Sequence, residues 1–126
     1  MINKELFFNA IRTGDLEKLK KLLKDYPYLK TSFDERGSTP LILATYYEQV
    51  EITDFLLTNG VEVDAKDGSG NTALMGVCFK GYTEIAKKLI GKGANVNHIN
   101  TMGATCLIYA ATFNRMEIAQ LLLARG

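Results

Sequence analysis

Thr39-Pro40-Leu41-Ile42-Leu43-Ala44 is the stretch on which the reading of this 126-residue chain turns, because the chain says it again. Thr72-Ala73-Leu74-Met75-Gly76-Val77 follows at an interval of 33 residues, and Thr105-Cys106-Leu107-Ile108-Tyr109-Ala110 at a further 33. Gly60, Gly93 and Gly126 keep the same interval, and so do Glu51-Ile52, Glu84-Ile85 and Glu117-Ile118. A period of about 33 residues marks stacked helical repeats, each burying its apolar face on its neighbours.

Within each unit the residues spell two helices. Asp34-Glu35-Arg36-Gly37, Asp67-Gly68-Ser69-Gly70 and Asn100-Thr101-Met102-Gly103 are turn clusters of the Asx and glycine kind. The threonine after each cluster can cap a helix, and Pro40 suits a first helical position, where a missing N–H costs nothing. That first helix is predicted to end near Tyr47, Lys80 or Asn114. A second helix follows, carrying Ile52, Phe55, Leu56 and Leu57, then Ile85, Leu89 and Ile90, then Ile118, Leu121, Leu122 and Leu123. Gly60 and Gly93 fit the left-handed position that ends such a helix.

Residues 4–24 lack the Thr-Pro stretch but show two apolar stripes, Leu6, Phe7, Ala10 and Ile11, then Leu16, Leu19, Leu22 and Leu23. Gly14-Asp15 separates them, with Asp15 placed to cap the second helix, and Tyr26-Pro27 stops it. Lys18, Lys20, Lys21 and Lys24 give the polar outer face that a terminal repeat needs. The reading is therefore an all-α solenoid of stacked helix pairs joined by hairpin loops. It is one domain, 1–126, with units at about 4–33, 34–66, 67–99 and 100–126, eight helices in four pairs, and an elongated shape.

Lys and Arg number 15 against 14 Asp and Glu, so the clustered basic excess of a nucleic-acid footprint is missing. Cys78 and Cys106 form no CxxC and have no histidine nearby; they read as small buried residues in a reducing compartment. The N-terminus has an early acid and no long apolar run, so a cytoplasmic protein with no membrane association is expected.

No catalytic or metal-binding pattern is present. Gly68-Ser69-Gly70-Asn71-Thr72-Ala73 fits a dinucleotide fingerprint, but no apolar strand precedes it, and the turn recurs in neighbouring units without those glycines. His98, the single histidine, falls on a predicted hairpin tip and is expected to be solvated. Neither an enzyme nor a cofactor is expected.

The repeated stretch, the helix-ending glycines and Gly93-Ala94-Asn95-Val96-Asn97 together resemble the ankyrin repeat, over about residues 5–126. The family pattern runs roughly Asp-x-x-Gly-x-Thr-Pro-Leu-His-x-Ala, then Gly-His-x-x-Ile, then Leu-Leu-x-x-Gly-Ala-x-Val-Asn. Two departures stand out. Its histidine is Ile42, Met75 and Ile108 here, so apolar packing and weaker hydrogen-bonded tethering between units are expected. Its interhelix glycine survives as Gly14 and Gly81, whereas Glu48 and Asn114 take its place elsewhere, with strain expected at Glu48.

The resemblance implies antiparallel helix pairs in a curved slab that grips a partner protein on its concave side. On that geometry the wall comprises Arg12, Thr13, Tyr46, Tyr47, Phe79, Lys80, Thr112 and Phe113 at the ends of the first helices. Hairpin tips add Glu35, Arg36, Ser38, Ser69, Asn71, Thr101 and Met102. Aromatics and arginine are frequent interface anchors, which singles out Tyr46 and Phe79. Two functions compete: a general protein-binding module, and a dedicated subunit that inhibits or chaperones one enzyme. The last helix, Met116–Arg125, has little polar outer face, so an exposed apolar end is expected, from a truncated array or a surface covered by another chain, with end-to-end self-association as one outcome.

Overall fold

A computed structural model describes residues 2–126. Its α-helices are α1 (Ile2–Thr13), α2 (Leu16–Asp25), α3 (Pro40–Tyr46), α4 (Val50–Thr58), α5 (Ala73–Lys80), α6 (Thr83–Gly91), α7 (Cys106–Thr112) and α8 (Met116–Arg125). A 3-10 turn, Pro27–Thr31, leads away from α2, and the described residues contain no strand. Helices pair as α1 with α2, α3 with α4, α5 with α6 and α7 with α8. Laterally α1, α3, α5 and α7 pack in series, which makes the all-α solenoid.

Local chemistry sets the helix starts. Thr39, Thr72 and Thr105 each accept a hydrogen bond from the backbone N–H three residues on, at 3.1, 3.4 and 3.2 Å. Asp15 does the same for Lys18 at 3.1 Å. Each cap satisfies one of the donors that a helix start leaves without an internal acceptor, worth about 1 kcal/mol. The turns between helices need a left-handed residue, and Glu48 and Asn114 adopt it with φ of +55° and +58° where the other pairs have Gly14 and Gly81.

The core runs the length of the stack instead of gathering at a centre. Phe7, Phe8 and Ile11 of α1, Leu41 of α3, and Leu74 and Met75 of α5 are fully buried, with Leu19, Ile52, Leu56, Ile85 and Leu89 from the second helices. Each such side chain contributes about 1.5–3 kcal/mol by leaving water. Met75 and Ile42 put apolar bulk where the family has histidine, as expected; Ile108, on α7, is exposed.

With the family's histidine absent, other side chains supply the hydrogen bonds between units. Gln49 donates to the Arg12 carbonyl at 3.0 Å, and Arg115 to the Phe79 carbonyl at 3.0 Å. Arg125 donates to the Ile90 carbonyl at 3.1 Å and Lys30 to that of Asn59 at 3.0 Å. All four acceptors lie in the last turn of a helix or directly follow one, beyond the regular i to i+4 ladder. His98 departs from expectation. It is half-buried, with Nε2 at 2.8 Å from the Gly70 carbonyl oxygen, joining two hairpins in the tautomer that carries its proton on Nε2.

A candidate protein-binding groove

Three hairpins of one design project from the first-helix layer. In each, one carboxylate or amide oxygen accepts two backbone N–H bonds: Asp34 from Arg36 and Ser38, Asp67 from Ser69 and Asn71, Asn100 from Met102 and Ala104, all at 2.9 to 3.0 Å. Gly37, Gly70 and Gly103 close the turns at φ of +81°, +76° and +79°, a region that glycine enters without a Cβ clash. The second and third hairpins are laced together. Thr101 N–H and Oγ1 both donate to the Ser69 carbonyl, at 3.1 and 2.9 Å, and Asn100 Nδ2 donates to Asn71 Oδ1 at 2.8 Å.

Between the hairpins and the first helices lies a groove of about 570 Å³. Of the side chains singled out from sequence, the groove brings together Arg12, Glu35, Arg36, Ser38, Tyr46, Tyr47, Asn71 and Phe79. Thr13, Ser69, Lys80, Thr101, Met102, Thr112 and Phe113 are not among its lining residues. Met102 is 85% exposed at its hairpin tip. Lys80 and Phe113 nonetheless adjoin the wall: Lys80 Nζ stands 4.8 Å from the Tyr46 ring centroid, and Phe113 meets Phe79 edge to face with centroids 4.7 Å apart. Tyr46 and Tyr47 form a second edge-to-face pair at 5.6 Å. Tyr46, Tyr47, Phe79 and Phe113 remain 43%, 46%, 41% and 39% exposed.

At one end Arg12 reaches both Asp34 Oδ2 and Glu35 Oε1, at 3.4 and 3.3 Å. The Asp34 side chain is 1% exposed, so its charge is held by one guanidinium and two backbone N–H groups together. The sequence reading missed the floor. Leu43, Gly76 and Tyr109 line it at one register position of α3, α5 and α7, with Ile42 and Met75 beside them. The 33-residue interval carried the signal, because it makes 43, 76 and 109 equivalent.

Cys78 and Cys106 are buried free thiols in α5 and α7. A hydrogen bond to Cys106, together with burial, pushes the Cys78 thiol well above its ordinary pKa. No cluster of three or more His, Cys, Asp or Glu among the described residues could hold a metal ion. No described helix is long and apolar enough to cross a membrane.

Stacked helix pairs with projecting hairpins and an aromatic-walled groove define a helical-repeat solenoid. A family model described as ankyrin repeats in three copies matches residues 3–67 and 49–126, and the chain belongs to that family. Among characterised proteins it is similar to the probable E3 ubiquitin-protein ligase XBOS32 of Oryza sativa subsp. japonica, 38% identical over 80 residues, which is 62% of this chain and 16% of that protein. It is also similar to ankyrin repeat family A protein 2 of Mus musculus and of Bos taurus, each 40% identical over 50 residues, 40% of this chain and 16% of the relative. The matched region thus spans about a sixth of each relative's length.

Proposed function

We propose that the chain is a single, non-catalytic ankyrin-repeat domain that holds a partner protein in the groove between its hairpins and first helices. Ankyrin repeats are in general protein–protein interaction modules. One observation carries the finer reading: Tyr46, Tyr47, Phe79 and Phe113 end successive first helices and stay about two-fifths exposed, although the core does not need them. Rigid aromatics of that kind supply contact area at small entropic cost and recur as interface hot spots. The rice relative's ligase name describes a protein of which this chain matches 16%, and no ligase chemistry is carried over from it. A cytoplasmic setting accompanies the reading, on the sequence argument that two buried cysteines without a CxxC suit a reducing compartment.

The test is affinity capture from the lysate of the native cell, with partners identified by mass spectrometry and compared between wild type, Tyr46→Ala and Phe79→Ala. Each variant should weaken binding by at least about 1 kcal/mol, with the helical circular dichroism spectrum unchanged. Undiminished binding in both would move the contact to the outer helices or an end of the stack. Capture of one enzyme, whose activity falls or whose yield rises on binding, would identify the dedicated-subunit form of the function.

A second reading, end-to-end self-association through the fourth helix pair, has its own support. Leu57, Ile90 and Leu123 are register equivalents, yet they are 9%, 6% and 64% exposed. Leu107 and Ile108 are bare in the same way, so among the described residues the outer side of α7 and α8 is an uncovered apolar face. Sedimentation equilibrium should show mass rising with concentration, and Leu123→Glu should abolish the rise. A monomer at every concentration would overturn it.

A further inference from the structure

Gly76 is the one floor residue of the groove that the fold does not explain. It lies inside α5, where glycine is less favourable than alanine by roughly 1 kcal/mol. Its neighbours in register are Leu43 on α3 and Tyr109 on α7, both with side chains that line the groove. A Cβ added at Gly76 would meet no atom within 4 Å, so neither helix packing nor backbone conformation requires glycine there. What remains is the gap left by a missing side chain, a notch in the lining of the groove that Leu43, Tyr109, Tyr46 and Phe79 share. The Tyr109 hydroxyl accepts from Asn100 Nδ2 at 2.9 Å, which holds that wall in place.

The charges around the notch are unequally satisfied. Arg12 pairs with Asp34 and Glu35, and Asp67 accepts from the backbone of Ser69 and Asn71. Arg36, which lines the groove, and Lys80, over the Tyr46 ring, have no carboxylate within 4.0 Å among the described residues. The acids of the groove are engaged, and Arg36 in its lining and Lys80 beside it are left for a partner's carboxylates.

We propose that the Gly76 notch seats one bulky apolar side chain of a partner-protein segment, with acidic residues of that segment reaching Arg36 and Lys80. The proposal rests on the groove reading above and names the chemistry of its occupant. Filling the notch should cost affinity without costing stability.

The experiment selects a phage-displayed library of random 12-residue peptides on the immobilised whole chain, then titrates synthetic versions of the enriched sequences. Enriched peptides should share a Leu, Met, Phe or Trp with an Asp or Glu within three or four residues. Gly76→Leu should weaken them about tenfold or more, the weight of one buried apolar side chain, while the thermal midpoint does not fall. Gly76→Ala should raise that midpoint by about 4 °C and weaken binding less; it carries the same reading should the leucine variant fail to fold. Removing the cation with Arg36→Gln or Lys80→Gln should weaken the acidic peptides by roughly threefold each, a rim-charge effect that salt suppresses. Peptides sensitive to Tyr46→Ala and Phe79→Ala but indifferent to Gly76→Leu would overturn the seat and leave the groove standing. Indifference to all three would overturn both. A library that enriches nothing, or sequences without the apolar anchor, would overturn the seat.

Discussion

Arg115 reaches back across the stack to the carbonyl oxygen of Phe79, with Nε at 3.3 Å and a terminal amine at 3.0 Å. Phe79 lies in the last turn of α5, where carbonyls lack helical partners and the helix dipole favours a cation. The same guanidinium fills the space beside Gly81, where an added Cβ would come within 2.8 Å of Nε. Gln49 repeats the arrangement one end along, donating to the Arg12 carbonyl beside Gly14, whose added Cβ would meet Gln49 Oε1 at 2.7 Å. Arg115→Ala should therefore cost about 1–2 kcal/mol in urea unfolding, and Arg115→Lys, which loses the planar fork, should recover part of it. An unchanged midpoint would show that the contact adds nothing to the stack.

The two left-handed residues without glycine should respond differently. Asn tolerates that region, whereas a longer side chain such as Glu pays about 1 kcal/mol for it. Glu48→Gly is expected to stabilise by about 0.5–1 kcal/mol, and Asn114→Gly to be close to neutral, because glycine's extra freedom when unfolded offsets part of the relief. Equal shifts for the two would mean that the Glu48 turn is not strained.

Thr53 Oγ1 is buried in α4 without a hydrogen-bond partner. Its register equivalents are Ala86 and Ala119, so the hydroxyl is peculiar to this unit. Thr53→Val keeps the volume and removes the unsatisfied group; a gain of roughly 1 kcal/mol is expected from chemical denaturation. A loss would place a polar partner at that position in solution.

Cys78 and Cys106 should resist alkylation by iodoacetamide at pH 8 in the folded chain and react at once in denaturant, since both are fully buried and out of the reagent's reach. For stability the sign follows from the raised Cys78 pKa. The unfolded thiol ionises near about 8.5 and the folded one only at higher pH, so its contribution is complete below that value and is lost as pH rises above it. Cys78→Ala should flatten the alkaline fall in unfolding free energy, measured between pH 8 and 10.5. The same slope in the variant would assign the fall to other groups.

Much of the fold was legible in the residues because its instructions are local. A threonine cap is satisfied three residues on, an Asx hairpin within four, and a left-handed glycine by its own backbone. Those distances lie inside the pattern that repeats every 33 residues, so helix starts, turns and pairing followed from reading one unit three times. Part of the candidate groove was legible too, because Arg12, Tyr46 and Phe79 end first helices, and the register of a helix sets which way its last turn points.

Contacts between units belonged to the tertiary structure alone. His98 looked like a solvated hairpin tip until stacking brought the Gly70 carbonyl, 28 residues earlier, to 2.8 Å. Arg115 finds its acceptor in Phe79, 36 residues away, which nothing in the local sequence indicates. Leu57, Ile90 and Leu123 are interchangeable by type and register, and only a neighbour's presence makes two of them core and the third surface. Gly76 lines a groove with Leu43 and Tyr109 because α5 packs between α3 and α7. A repeat writes its own backbone in its residues, but burial and hydrogen-bond partners across a stack depend on which atoms the next unit places there.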